Sequence, residues 1–246
     1  MTIELNNVGF TIGKRPLFEA ITQSVPDGAI WALQGSSGSG KTTLLNIMGL
    51  LLKPTEGEVT IDGRPTRSWN DRQRRHFWHD HAAFIYQDYG IIPSETVAYN
   101  ITLMSRFADC RRIRPQASSQ LHHIAQQVGL DGMLNERAGV LSGGEKQRVG
   151  IARALWKNAS YIFADEPTAS LDASNRDLVT ELLLQRAQSG STVIAASHDA
   201  DFIHHCDGII DVEHYTADDQ RFAELRQAAK QADDFFSSPY HSSSPQ

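Results

Sequence analysis

Short apolar runs broken by turn residues open the chain: Ile3 to Val8, Leu17 to Val25 and Ala29 to Leu33 read as strands, separated by "GKRP" and "PDG". This predicts a hairpin-rich start. Past Leu33 a glycine-rich loop runs into "KTTLLNIMGLLL", whose apolar positions suit a buried helix, and "KPTEGEVTIDG" returns as a turn and a strand. From Trp69 to Gly139 the pattern turns rich in Arg, His and Gln, with helical spacing in "SSQLHHIAQQVGL", and predicts a mainly helical insert. From Gly144 the chain alternates: helix to Trp156, strand Tyr161 to Ala164, helix Ala173 to Ala187, strand Thr192 to Ser197, helix Ala200 to Cys206, strand Gly208 to Val212. Such alternation predicts a mostly parallel sheet covered by helices. The end, "DDQRFAELRQAAKQADDFFSSPYHSSSPQ", starts as an amphipathic helix and finishes as a Ser/Pro-rich tail expected to be disordered.

Composition narrows the function classes. With 40% apolar residues in 246, the chain can build a sizeable core, and 23 basic against 29 acidic residues give a net charge of −6. No global positive field gathers nucleic acid, so no nucleic-acid partner is expected. Cys110 and Cys206 are far apart with no Cys-x-x-Cys, and "MTIELNNVGF" lacks a basic start and apolar run, which points to a reducing cytosol. No stretch approaches the roughly 20 apolar residues of a membrane-spanning helix. If the protein works at a membrane, another chain does the spanning.

The candidate chemistry begins at Gly35-Ser36-Ser37-Gly38-Ser39-Gly40-Lys41-Thr42, which fits G-x-x-x-x-G-K-[ST] between a predicted strand and a predicted helix. Glycines let the backbone wrap phosphates with amide hydrogens turned inward at the positive end of the helix. Lys41 then reaches the terminal phosphates and Thr42 places its hydroxyl on Mg²⁺. The plain alternative is a Gly/Ser turn that caps a helix. "YIFADEPTASLD" puts Asp165 and Glu166 after an apolar strand that Pro167 ends. Strand ends of a parallel sheet face the ligand crevice, so Asp165 is placed to hold Mg²⁺ through water and Glu166 to orient or deprotonate the water that attacks the γ-phosphate. Alone, the two would be solvated acids at a strand end. Gln87 after "AAFIY" and His198 after "VIAAS" stand at further strand ends, Gln87 for Mg²⁺ or its water and His198 for the γ-phosphate. A lone Gln or His is more often structural.

A second glycine loop, Ser142-Gly143-Gly144 in "LSGGEKQR", also offers free amides and a hydroxyl to an anion at a helix start, yet carries no lysine of its own. Ser142 and Glu145 stand in capping-box spacing, and capping and phosphate contact can coexist.

Across about residues 3 to 212 these motifs resemble the ATPase subunits of ABC transporters: a Walker A loop at 35 to 42, a Q-loop at Gln87, the signature "LSGGEKQR", a Walker B strand ending in Asp165-Glu166, a D-loop "ASLD", and a switch histidine at His198. The resemblance implies an α/β P-loop NTPase with a RecA-like mixed sheet core, an N-terminal antiparallel β subdomain and a mainly helical signature subdomain. It divides the chain into an ATPase domain over 1–213, with the helical subdomain at about 88–158, and a C-terminal helix and tail over 214–246. It also implies ATP and Mg²⁺ as cofactors, Lys41, Glu166 and His198 as catalytic residues, and Thr43 and Asp172 added to the nucleotide contacts. Two copies pair head to tail, each nucleotide lying between the Walker A loop of one and Ser142, Gly143 and Gly144 of the other. Where relatives stack adenine on an aromatic ring, this chain has Ile12, with Val8 and Phe10 read as core strand residues.

A transmembrane permease is expected to dock near Asp88–Asn100, "DYGIIPSETVAYN", putting the subunit on the cytoplasmic face of the inner membrane and letting transport state be felt at Gln87. Within the family the motifs look closest to the bacterial lipoprotein-release, macrolide-export and cell-division group, so export or mechanical transmission is expected. The rival is a regulatory ATPase module that moves no substrate. A soluble genome-maintenance ATPase fits less well, because its relatives carry coiled-coil insertions or a tandem copy. His76, His79 and His81 mix helix faces and are not read as a metal site, Arg72, Arg74 and Arg75 are expected to form a solvated helix face, and His204-His205-Cys206 a helix end.

Overall fold

Strands β1 (Ile3–Ile12) and β2 (Arg15–Val25) pair antiparallel, and β4 (Glu56–Ile61) and β5 (Arg64–Pro65) extend them to a four-stranded sheet in the order β2-β1-β4-β5. Ile3, Leu5 and Val8 all face its core although strict alternation would turn Val8 outward. A bulge between Leu5 and Val8, where Asn7 takes φ 52°, absorbs the extra residue. The computed structural model describes residues 2–104, 115–169 and 171–216.

The second sheet has five strands, β6 (Ala82–Ile85), β7 (Tyr161–Asp165), β8 (Thr192–Ala196), β3 (Ile30–Gln34) and β9 (Gly208–Asp211), in that spatial order. All its neighbouring pairs are parallel. The mixture of directions expected of the core thus falls between two sheets. Residues of β7 and β8 are buried on both faces, as a helix-covered parallel sheet requires. Period-two alternation sends Tyr161, Phe163 and Ile194 to a core shared with the antiparallel sheet and helix α1 (Lys41–Met48). It sends Ile162, Ala164 and Val193 to the opposite core, where α5 (Gly143–Lys157) and α6 (Ala173–Gln188) contribute Val149, Ile151, Val179 and Leu183. The remaining helices are α2 (Asp71–Asp80), α3 (Val97–Thr102), α4 (Pro115–Gln127) and α7 (Ala200–His204).

The apolar run before Gln87 is a strand, as its sequence predicts: Ala82–Ile85 is the edge of the parallel sheet, paired to β7, inside the stretch from Trp69 to Gly139 expected to be mainly helical. One expectation changes. Arg74 is buried rather than on a solvated face, its guanidinium donating to the carbonyls of Leu50 at 3.0 Å and Thr66 at 3.5 Å, while Arg72 and Arg75 are exposed. Cys110, Ser170 and the C-terminal stretch from residue 217, where a helix and tail were expected, lie outside the described residues. No helix among the described residues is long and apolar enough to cross a membrane.

Candidate functional site

The order of the parallel strands lays out the site. At their C-terminal ends stand, in sequence across the sheet, Gln87 after β6, Asp165 and Glu166 at β7, His198 after β8, the glycine loop after β3 and Glu213 after β9. In a parallel sheet this edge is where ligands lie.

The loop from Gly35 to Gly40 depends on backbone that only glycine adopts freely: φ is 148° at Gly35, 84° at Gly38 and 100° at Gly40, the residue before α1. A Cβ on Gly40 would lie 2.9 Å from Leu17 Cδ2 and 3.0 Å from Phe18 Cδ1, so the β1–β2 hairpin rests on the start of the helix. That contact brings the hairpin tip, where Ile12 is 61% exposed, to the flank of the loop. Lys41 Nζ donates to the carbonyls of Gly35 at 2.9 Å and Ser36 at 3.0 Å, lying across the loop. Ser39 Oγ is buried with no hydrogen-bond partner. Ser36 N–H donates to the Glu213 carboxylate at 2.9 Å, a contact between residues 177 positions apart that no local pattern announces.

Thr42 Oγ1 donates to Asp165 Oδ1 at 3.1 Å. Burial raises the Asp165 carboxyl above its usual range by stripping its water; the Thr42 hydrogen bond pulls it down, the Glu166 charge pushes it up, and Lys41 pulls it down again. A buried, under-compensated carboxylate beside a hydroxyl is the donor set a hard cation takes, so these residues fit Mg²⁺. Among the described residues no group of three or more His, Cys, Asp or Glu is placed to hold a metal. Thr43 follows in the first turn of α1, half-buried.

Glu166 has φ 49°, a left-handed conformation that costs a non-glycine residue about 1–3 kcal/mol. Its N–H donates to the Ala196 carbonyl at 2.9 Å, fixing it to β8. Its Oε2 lies 2.9 Å from His198 Nδ1, with Glu166 at 13% side-chain exposure and His198 at 74%. Gln87 lies exposed in the turn after β6, with no hydrogen bond to these groups among the described residues.

The second glycine loop is built apart from the first. Ser142 caps α5 in a full capping box: its Oγ accepts from Glu145 N–H at 3.3 Å, and Glu145 Oε2 accepts from Ser142 N–H at 2.7 Å and its hydroxyl at 2.8 Å. Those bonds from Ser142, backbone before side chain, hold the Glu145 carboxyl below its usual range. A Cβ on Gly143 would lie 3.1 Å from the Tyr89 hydroxyl oxygen, and one on Gly144 3.3 Å from Leu171 Cδ2. Asp172 caps α6, accepting from Asn175 N–H at 2.9 Å and Nδ2 at 2.7 Å, bonds that lower its carboxyl below the usual range. No hydrogen bond joins Ser142–Gly144 to Gly35–Thr42 among the described residues.

Sequence reasoning missed Gln147, buried, whose Nε2 donates to the Pro167 carbonyl at 3.2 Å and ties the signature helix to the segment after Glu166. Its signal was available: Gln147, Ile151 and Ala154 share the buried helix face, so a polar residue occupies a core position. Asn100, Arg153 and Glu213 were also missed; the side chain of Asn100 bonds within eight residues, to Ile92 and Thr96, while the partners of Arg153 and Glu213 are distant in sequence.

Comparison with known proteins gives the site a context. The profile of the ABC transporter family matches residues 18–169. The chain is 35% identical over 196 residues to the macrolide export ATP-binding/permease protein MacB of Rhodopirellula baltica, covering 79% of this chain and 29% of that one. It is 33% identical over 201 residues to the lipoprotein-releasing system ATP-binding protein LolD of Leptospira interrogans, covering 81% of this chain and 84% of that one. It therefore spans under a third of MacB's length and most of LolD's. A solved dimeric ATP-binding cassette in a post-hydrolysis state, bound to ADP and Pi, aligns with a TM-score of 0.76 at 30% identity, over 86% of this chain and 95% of that one.

Proposed function

Because the chain belongs to the ABC transporter family and is an ATPase, we propose that two copies clasp Mg-ATP head to tail and drive a membrane permease. In this reading the backbone of Gly35–Lys41 and the hydroxyls of Thr42 and Thr43 hold the phosphates, and Ile12 touches the base. Lys41 turns its ammonium from the Gly35 and Ser36 carbonyls to the β- and γ-phosphates. Thr42, Asp165 and Gln87 would hold Mg²⁺, in part through water, and the ion would supply positive charge beside the terminal phosphates. Glu166 Oε2 takes the proton of the water whose oxygen bonds to the γ-phosphorus; as the bond to the β-phosphate oxygen breaks, ADP leaves with that electron pair. His198, beside Glu166, holds the γ-phosphate for that attack. Ser142, Gly143, Gly144 and Asp172 face the nucleotide of the other copy.

The observation that carries this reading is the separation of the two glycine loops: one copy builds a phosphate loop with its acids and a second anion-binding turn that shares no hydrogen bond with it. Residues 1–213 form the ATPase domain, with the signature subdomain over about 88–158 and a C-terminal extension from 214. The permease docks near Asp88–Asn100 and the subunit sits on the cytoplasmic face of the inner membrane. MacB and LolD are named for export and lipoprotein release, which favours an exporting or mechanically transmitting complex. Glu166→Gln tests the arrangement: light scattering should show an ATP-dependent dimer that binds nucleotide while turnover falls by about 10²-fold or more. Normal hydrolysis by this variant removes Glu166 from the proton-accepting role, and a monomer at saturating Mg-ATP removes the clasp.

A further inference from the structure

One peptide of the phosphate loop is gripped at both ends. Lys41 Nζ donates to the Gly35 carbonyl at 2.9 Å, and Ser36 N–H, the other end of the same peptide unit, donates to Glu213 Oε2 at 2.9 Å. An ammonium on the oxygen and a carboxylate on the N–H both align with the peptide dipole, so each strengthens the bond the other makes. Lys41 makes its second bond to the next carbonyl, Ser36 O, at 3.0 Å. Among the described residues no ion pair joins Lys41 to Glu213 directly, which leaves the peptide as the path between the two charges.

The fold holds Glu213 in this place. It follows β9, whose Asp211 pairs with Gln34 of β3, the residue before Gly35. Val212 is fully buried, and Asp211 Oδ1 accepts from Glu213 N–H at 3.1 Å, so the turn starts from fixed backbone. Glu213 O closes that turn, accepting from Thr216 N–H at 3.1 Å and from Thr216 Oγ1 at 2.9 Å. Gly35 permits the approach, since a Cβ there would lie 3.3 Å from Glu213 N and 2.6 Å from Ser39 Oγ. An acid beside a loop meant for a polyanion opposes binding by its charge, so its bond to Ser36 calls for a role.

We infer that Glu213 is a positioning residue of the phosphate loop: through the Gly35–Ser36 peptide it holds Lys41 across the loop, and a nucleotide must break that hold to draw the ammonium to its phosphates. This rests on the phosphate role given to Lys41 above. Glu213 then tunes nucleotide affinity by setting the resting position that the phosphates have to outcompete.

ADP titrations in a double-mutant cycle test it. Glu213→Gln keeps an acceptor for Ser36 but drops the charge that makes the hydrogen bond strong, so the Kd for ADP should fall by about fivefold. In a Lys41→Ala background the same change should move Kd by less than about 1.5-fold, because no ammonium is left to hold. An equal fall in both backgrounds is charge repulsion of the phosphates, and a Kd unchanged or raised in the Lys41 background shows no hold; either overturns the inference. Before nucleotide is added, the Ser36 amide proton should shift upfield by NMR in Lys41→Ala as well as in Glu213→Gln, since each removes one end of the polarised peptide. A Ser36 resonance indifferent to Lys41→Ala overturns it too. Should Glu213→Gln fail to fold, Glu213→Asp decides: one methylene shorter, it keeps the charge but withdraws it from Ser36, so ADP should again bind more tightly, and an unchanged Kd overturns the inference. A Lys41→Ala protein that binds ADP as tightly as the unmodified one sinks the phosphate role of Lys41 instead, and the Ser36 resonance still decides the hold.

Discussion

Asp165 is a residue whose use conflicts with its surroundings. Burial raises its carboxyl, so the folded protein bears a cost whenever the group is charged. The sign follows from linkage: with the folded value above the ordinary 3.8, the native state binds the proton more tightly, so the cost is absent below 3.8 and fully present above the raised value. Asp165→Asn keeps an acceptor for Thr42 and removes the charge. We expect its Tm at neutral pH to rise by about 2–4 °C, the shift for ~1 kcal/mol in a chain of this size. The gain should vanish as pH falls through the same window, while Mg-dependent ATPase is lost. A lower Tm at neutral pH would mean the carboxylate is already compensated. Ile12 poses the converse case, an exposed aliphatic at a tip where a base is expected. The ring two residues back, Phe10, packs on Phe18 with centroids 6.4 Å apart and is committed to the core. A ring at the tip should add stacking of about 1–3 kcal/mol, so Ile12→Tyr is expected to lower the Kd for ADP by about tenfold in a fluorescence titration. An unchanged Kd places the base elsewhere.

At the scale of elements, the strands of the parallel sheet were legible because burial on both faces demands continuous apolar runs, and "YIFA" and "TVIAA" are such runs. The ends of α5 and α6 were legible because Ser142 and Asp172 cap them through bonds three residues long. What escaped was long-range. "AAFIY" reads as a strand before Gln87, but its place at the sheet edge beside β7 is set by pairing with residues about 80 positions away. Arg74 looked like its exposed neighbours, and only the carbonyls of Leu50 and Thr66, brought in by the turn after α1 and the loop after β5, give it reason to be buried. The candidate phosphate loop, acids and histidine were readable as motifs at strand ends, but the adjacency of Glu166 and His198 comes from β7 lying beside β8 in the sheet. Glu213 on the Ser36 amide joins the first and last strands of the β3–β9 pair, a proximity no window of sequence contains.

At the scale of the whole molecule, the two glycine loops impose a stoichiometry. If each nucleotide needs Lys41 from one copy and Ser142 from the other, then damage to either loop in both copies disables both sites, yet the two kinds of damage complement each other. In a mixed dimer of Lys41→Ala and Ser142→Arg chains, one interface holds both lesions and the other holds neither. Ser142→Arg also removes the α5 cap, a loss of about 1 kcal/mol that the fold should survive, so thermal melting must first show both variants folded. Each alone should then be nearly inactive. Mixed in equal amounts, about half the dimers are mixed and each has one intact site, so ATPase should recover to about a quarter of the unmodified protein's rate. Recovery should depend on total protein concentration, since it requires exchange between dimers. A mixture no more active than its components, with exchange verified by labelled chains, would mean that both loops serve one nucleotide within one copy, an arrangement in which the spacing between them seen in the fold must close by internal motion.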